Sequence, residues 1–289
     1  MSKLCLLLLG LSLPAVAADW PQFLGPTADG VSTETGLIDA FPKGGLKPLF
    51  AKRIGTGYAA PSIRDGKAVV FHRASKLYKV EEGDNFETVV KYVNAELAAL
   101  KAKERLTVED LQKSLKETTR RVPRGYIPLP EAVAKYLDVE VIDCLDAKTG
   151  NLIWRHAYPT GYEDPYGYNN GPRCAPLITK DRIYTYGAEG VLMCLDFATG
   201  KQIWQRDTHK DFTVIPNFFG VGSTPVLEDG LLLTMVGGQP NSGMVAFDAK
   251  TGKTVWTSTG KQTWDGVAKT GWPGEPRMIW RGQEKMASY

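Results

Sequence analysis

One stretch of this 289-residue chain gathers side chains suited to gripping a polar ligand: Tyr162-Glu-Asp-Pro-Tyr-Gly-Tyr-Asn-Asn-Gly-Pro-Arg173. Asp164 brings acceptor oxygens, Asn169 and Asn170 bring paired donors and acceptors, and Arg173 brings a planar fork of donors. Tyr166 and Tyr168 add flat faces tipped with a hydroxyl. That set fits a carbohydrate or other polar ligand better than a covalent reaction. The same residues also suit a turn held by Asn and Gly, with Arg173 paired to a neighbouring acid. A thinner group comprises His209, in the loop running to Phe219, and His72-Arg73 at the end of an early apolar run. These are expected to complete a funnel on one face. His209 titrates near neutral pH and so has acid/base capacity, although a lone loop histidine is ordinarily only solvated. The sequence holds no Ser/His/Asp grouping, nucleophile elbow or Gly-rich phosphate loop. It also lacks Cys-x-x-Cys and Cys/His groupings. No catalytic residue and no metal ligand is assigned.

The elements that must position these residues come from a repeat. Three segments align without gaps: Cys144-Leu-Asp-Ala-Lys-Thr-Gly-Asn-Leu-Ile-Trp154, Cys194-Leu-Asp-Phe-Ala-Thr-Gly-Lys-Gln-Ile-Trp204 and Ala246-Phe-Asp-Ala-Lys-Thr-Gly-Lys-Thr-Val-Trp256. Asp146, Asp196 and Asp248 lie 50 and 52 residues apart, and Gly150, Gly200 and Gly252 follow each at the same offset. An apolar run before each Asp reads as a strand, and Asp-x-x-Thr-Gly is turn chemistry with Gly free to take a positive φ. The residues up to Trp154, Trp204 and Trp256 read as returning strands, each indole wedged between successive sheets. Upstream of the motifs, Pro61, Pro176 and Pro225 each open a short strand, an Asp-containing turn and a second strand. Four strands per unit is the content of a propeller blade, so the fold class is all-β: a partial β-propeller of four-stranded antiparallel blades.

The Asp-x-x-Thr-Gly-x-x-x-Trp motif, with a small residue two places before the Asp, resembles the repeat of PQQ-like (quinoprotein-type) β-propellers. Asp19-Trp-Pro-Gln-Phe-Leu-Gly-Pro26, Asp29-Gly-Val-Ser32 and Asn170-Gly-Pro-Arg173 resemble exported, planctomycete-type members of that family. The resemblance covers about 19–73 and 139–289. It implies a motif Trp docked on the neighbouring blade. For the dehydrogenases of the family it implies PQQ held with calcium by Glu, Asn and Asp, an Asp base and usually a vicinal disulfide. This chain has no adjacent cysteines and no segment matching those contexts, so no cofactor is evident. PQQ with calcium enters only under the alternative reading of a quinoprotein alcohol dehydrogenase. The favoured expectation is a non-catalytic binding or assembly scaffold for a protein or polysaccharide, because a repeat marks a fold and not a cofactor.

The spacing is broken once. Pro61 to Trp154 is 93 residues, against 28 and 31 in the next two units. Phe86, Val89, Val90, Val93, Leu97 and Leu100 recur at helical spacing, Thr107-Val-Glu-Asp110 looks like a capping-box start, and 131–137 reads as a third, short helix. A helical insertion over about 81–138 of the first blade follows, with a partner or lid role open to it and a tolerated surface elaboration equally so. At the N-terminus Lys3, the apolar run Leu4 to Leu13, Pro14 and Ala15-Val-Ala-Ala18 form an export-leader pattern over 1–18. The run is too short to span a bilayer core of about 30 Å, so no membrane span is expected once it is cleaved. The domain expected over 19–289 is an incomplete propeller of about three blades plus the start of another at Glu284–Tyr289. Export to the periplasm or medium leaves Cys144, Cys174 and Cys194, an odd number, expected as buried free thiols, with a pair between Cys174 and one of the others as the alternative. The 35 Lys and Arg nearly balance 32 Asp and Glu, which argues against nucleic acid held by bulk charge.

Overall fold

In the computed structural model, residues 18–118, 122, 124–164, 166–214, 220–239 and 241–257 are described. The leader, Trp264, Trp272, Trp280 and Glu284–Tyr289 lie outside them.

The first sheet begins with β1 (Ser62–Arg64) and β2 (Lys67–Ala74). An insertion follows: β3 (Leu77–Lys79), α1 (Phe86–Ala99), α2 (Val108–Glu117), β4 (Tyr126–Pro128) and α3 (Glu131–Ala134). β5 (Val139–Asp146) and β6 (Leu152–Pro159) then complete the order β1-β2-β5-β6. The second sheet runs β7 (Leu177–Ile178), β8 (Arg182–Tyr186), β9 (Val191–Asp196) and β10 (Gln202–Asp207) in sequence order. After α4 (Thr208–Asp211) and β11 (Thr213–Val214), the third sheet holds β12 (Val226–Glu228), β13 (Leu231–Gln239), β14 (Ser242–Asp248) and β15 (Thr254–Thr257), with β11 added beside β13. Three antiparallel four-stranded units in tandem, not closed into a ring, make a partial β-propeller.

The motif's physics repeats from sheet to sheet. The Asp146, Asp196 and Asp248 carboxylates each accept the N–H three residues on, at 2.8 Å in all three turns. Each glycine N–H donates back to its Asp carbonyl at 2.8 Å. The small residue faces the Trp across the hairpin: Cys144 pairs Trp154, Cys194 pairs Trp204 and Ala246 pairs Trp256. A register shift sits beside each pair, the extra twist that turns the indole outward.

The indoles then dock as the repeat requires. Trp154 Nε1 donates to the Phe197 carbonyl at 3.1 Å, and Trp204 Nε1 donates to the Ala249 carbonyl at 3.1 Å, in each case on the next sheet. Both rings lie on the next motif glycine. A Cβ on Gly200 would stand 2.4 Å from Trp154, and one on Gly252 would stand 2.7 Å from Trp204. Gly200 and Gly252 also hold φ of +68° and +69°, so two independent constraints select glycine.

Gly150 of the first sheet carries the same seat, filled by Phe50 from the segment ahead of β1, at 2.4 Å from a would-be Cβ. The likeness extends two residues further. Lys52 Nζ donates to the Gly150 carbonyl and Arg206 Nη1 to the Gly252 carbonyl, while His156 bonds the Gly200 backbone. The 50–52 segment thus occupies the outer-strand seat on the first sheet. Apolar clusters fill the two sheet interfaces, around Phe71, Ile142 and Ile183 for the first pair and Tyr186, Leu192 and Phe247 for the second. Cys144, Cys174 and Cys194 are buried and free.

The insertion has its own core. Val89, Val93 and Leu97 of α1 meet Leu111, Val133 and Leu137, and Ala74 and Val141 join this cluster from the blade. Asn85 caps α1, and Thr107 with Asp110 forms the expected capping box on α2. The two-stranded β3-β4 sheet, which brackets α1 and α2, is an element that helical periodicity alone does not reveal.

Candidate functional site

The insertion does not stand away from the propeller. It leans over one end of β2, opposite the Tyr162–Arg173 loop, and the two enclose a cleft of about 520 Å3. Asp164, Tyr168, Asn169 and Asn170 line one side, and Arg73 lies at the base. Tyr78, Tyr92 and Glu96 come from the insertion, while Arg53 and Tyr58 come from the segment that crosses ahead of β1.

The loop is stiff because its polar groups are spent on itself. Asp164 accepts from the Tyr166 N–H at 2.9 Å and from Arg173 Nη2 at 3.1 Å. Asn170 Oδ1 accepts from the Asp164 N–H at 2.8 Å, and Asn169 Oδ1 accepts from the Gly171 N–H at 2.8 Å. The Arg173 guanidinium lies between the rings of Tyr58 and Tyr162. Arg73 fastens the loop to β2, donating to the Tyr162 and Asn170 carbonyls and to Asp138 at 3.0 Å. The loop is thus the turn held by Asn and Gly with Arg173 on a neighbouring acid, a self-satisfied frame that leaves Tyr166 58 % and Tyr168 67 % exposed.

The opposite wall is built around Arg53. Its guanidinium sits 4.3 Å from the Tyr78 ring centre and 5.1 Å from that of Tyr92, and pairs with Asp84 at 2.9 Å. Burial and the Asp84 hydrogen bond push the Tyr78 phenol up to about 12. Behind this wall runs a buried chain of charges. Glu96 of α1 pairs with Arg155 of β6 at 2.9 Å, and Arg155 forks onto Asp143 of β5 at 2.6 and 2.7 Å. Asp143 meets His72 Nε2 at 3.2 Å, and His72 Nδ1 accepts from the Gly55 N–H at 3.1 Å. The Gly55 bond fixes the tautomer with its proton on Nε2, aimed at Asp143. Burial pushes the Asp143 carboxyl up, and Arg155 and His72 more than reverse it, holding it down to about 2.

Five of the nine expected ligand residues therefore line one cleft: Asp164, Tyr168, Asn169, Asn170 and Arg73. Arg173 braces it from behind and Tyr166 flanks it. The expected funnel of His72, Arg73 and His209 does not form. Successive strand residues point to opposite faces, so His72 (1 % exposed) is directed at Asp143, away from the cleft, while Arg73, itself only 2 % exposed, borders the base of the cleft. His209 sits on α4 against Gly190, and burial pushes its imidazole below the usual range, with Asp207 and Glu189 pulling partly back. Arg53, Tyr78, Tyr92 and Glu96 were not singled out by sequence. The signal for the last two was present: Tyr92 and Glu96 are four apart on α1, beside the Val89–Val93–Leu97 stripe that packs on the blade.

With tandem four-stranded sheets and a cleft at the first of them, the chain is a propeller-type repeat protein. Residues 138–278 match the family model PQQ_2, described as outer membrane protein assembly factor BamB. The chain is thus similar to the PQQ-like repeat family over just under half of its length. Quinohemoprotein alcohol dehydrogenase of Comamonas testosteroni is 24% identical over 152 residues, 48% of this chain and 20% of that protein. Its solved structure gives a TM-score of 0.32 at 24% identity, over 42% of this chain and 19% of that one. BamB from Moraxella catarrhalis gives 0.27 at 22% identity, over 43% and 34%. The chain thus matches about a fifth of the curated relative's length.

A calcium-held quinone needs converging, unengaged carboxylate and amide oxygens. At this face Asp164 is held by Arg173, Asp138 by Arg73 and Lys76, and Asp143 by Arg155 and His72. Among the described residues no group of three or more His, Cys, Asp or Glu is arranged to hold a metal. These residues do not fit the cofactor. No helix among the described residues is long and apolar enough to cross a membrane.

Proposed function

We propose that this chain is the ligand-holding part of an exported, non-catalytic PQQ-like propeller, a binding or assembly scaffold for a protein or polysaccharide. The observation that carries the reading is the state of the cleft's reactive groups. Arg53, Arg73, Asp164 and Glu96 are each already paired, so among the described residues the buried charged groups of the cleft supply fixed dipoles and none of these four is poised as nucleophile or base. The leader pattern over 1–18 supports export, and the family description as an assembly factor supports a holding role. The dehydrogenase relative supports the opposite reading, and the engaged carboxylates weigh against it.

The test is direct. The chain is dialysed against PQQ with calcium, then assayed for retained quinone absorbance and for dye reduction with primary alcohols. The scaffold reading expects neither stoichiometric quinone nor turnover. Alcohol-dependent reduction that requires the quinone would overturn it.

A further inference from the structure

We infer that the cleft between α1 and the Tyr162–Arg173 loop takes an uncharged oligosaccharide; this rests on the scaffold reading and names its ligand class. The charges of the cleft are largely matched within it. Arg53 is matched by Asp84, Arg73 by Asp138, and Lys76 by Asp138 at 3.1 Å and Glu163 at 3.6 Å. Arg155, behind the wall, is matched by Glu96 and Asp143. Past Lys79, an exposed lining residue at the rim, an ionic ligand gains a partner only by breaking one of these pairs and stranding the other half, which is costly where the groups are buried, as for Arg73 and Arg155.

The surface chemistry of the cleft suits a sugar. A pyranose ring has an apolar C–H face and a rim of hydroxyls. Flat phenol rings match the face, and amide, carboxylate and phenol oxygens match the rim. The cleft supplies the rings from three separate elements. Tyr58 (60 % exposed) and Tyr168 (67 % exposed) stand at its mouth, and Tyr92 and Tyr126 lie deeper on the insertion. Asn169 and the exposed Glu163 border them. The volume of about 520 Å3 falls within the range of about 300–1,000 Å3 usual for small-molecule sites.

Strand addition, one of the ways an extended peptide is held, needs a free strand edge. The backbone in the cleft floor is already used: Thr56 bridges Arg73 through two hydrogen bonds of 2.9 and 2.8 Å.

The experiment titrates the 289-residue chain, by calorimetry and saturation-transfer NMR, with cellotriose, maltotriose and chitotriose. Trigalacturonate (anionic), the glucosamine trimer (cationic) and a tripeptide library form the other arms. We expect at least one uncharged trimer to bind about tenfold or more tightly than both charged ones. Tyr168→Ala and Glu163→Ala should each weaken it about tenfold, Tyr168→Phe should keep most of the affinity, and the melting temperature should be unchanged in all three. Binding of charged trimers alone, no uncharged trimer bound at millimolar concentration, or equal affinity in wild type and Tyr168→Ala would each overturn the inference. A tripeptide that binds wild type but not Tyr168→Ala, with the sugars silent, sinks the sugar class and leaves the scaffold reading standing. Quinone-dependent alcohol turnover sinks the scaffold reading itself.

Discussion

At Gly200 the chain has no room for a methyl group. A Cβ there would press on the Trp154 ring at 2.4 Å, on a backbone with φ +68°. Gly66, in the β1–β2 turn, shares the conformation (φ +70°) but has nothing within 4 Å. Gly200→Ala should therefore cost about 2–4 kcal/mol, conformational strain plus overpacking. Gly66→Ala should cost about 1 kcal/mol from conformation alone. Paired urea melts of the two variants measure the difference, and equal losses would remove the seat from the explanation. Glu140 is a second residue with a calculable consequence. It is 1 % exposed, accepting from Tyr158 Oη at 2.5 Å and the Ala188 N–H at 2.8 Å. Burial raises its carboxyl above the usual range, only partly offset by those two bonds. A raised carboxyl favours the folded state when protonated, so this group adds stability as pH falls through the raised value toward the unfolded one, about 4.3. Glu140→Gln can accept from Ala188 and donate to Tyr158. It should be at least as stable as wild type at pH 8 and lose that part of the pH dependence, as read from thermal melts between pH 8 and 5.

At the scale of elements, the hold of the insertion on the blade matters most for the cleft. Its apolar contact is joined by the Glu96–Arg155–Asp143–His72 chain, which ties α1 to β6, β5 and β2. Arg155→Met leaves the carboxylate of the fully buried Asp143 with His72 as its one remaining partner among the described residues, an expected loss of about 3–5 kcal/mol. Glu96→Gln keeps the Arg155–Asp143 fork and should loosen only α1. Hydrogen exchange separates the cases: in Glu96→Gln the amides of 86–99 speed up while β8 and β9 stay protected. Because Asp143 is held below its unfolded value, the stability it adds is present above about pH 4 and lost as pH falls toward about 2. The helices were legible in the sequence because caps and apolar spacing are local: Asn85, Thr107 and Asp110 do what their types and order imply. The ion chain was not legible. Its bonded partners are 12 to 71 positions apart in sequence, and nothing local distinguishes Arg155 from any exposed strand arginine. The loop was half legible: Asp164 and Arg173 announce a polar site, but that they answer each other follows only from the folded chain.

For the whole molecule, blade follows blade through one contact used repeatedly: a large ring on a motif glycine, with its N–H on the next carbonyl. Periodicity made this readable from Trp154, Trp204 and Trp256. Phe50 escaped notice because it carries neither the motif nor the indole. Phe50→Trp should be tolerated or stabilising, since Gly150 has the geometry of the two seats that hold indoles. Phe50→Ala should cost about 1–3 kcal/mol for a partly buried ring, both read from thermal melts. The account's central claim is that indole seating couples the blades and so fixes the frame on which the cleft is built. Exchange of the indole N–H protons, followed by NMR on tryptophan-labelled protein, tests it most directly. Trp154 and Trp204 should exchange slowly, and Gly200→Ala should accelerate Trp154 while leaving Trp204 slow. Fast exchange of both in wild type, or an unchanged Trp154 in the variant, would contradict the claim.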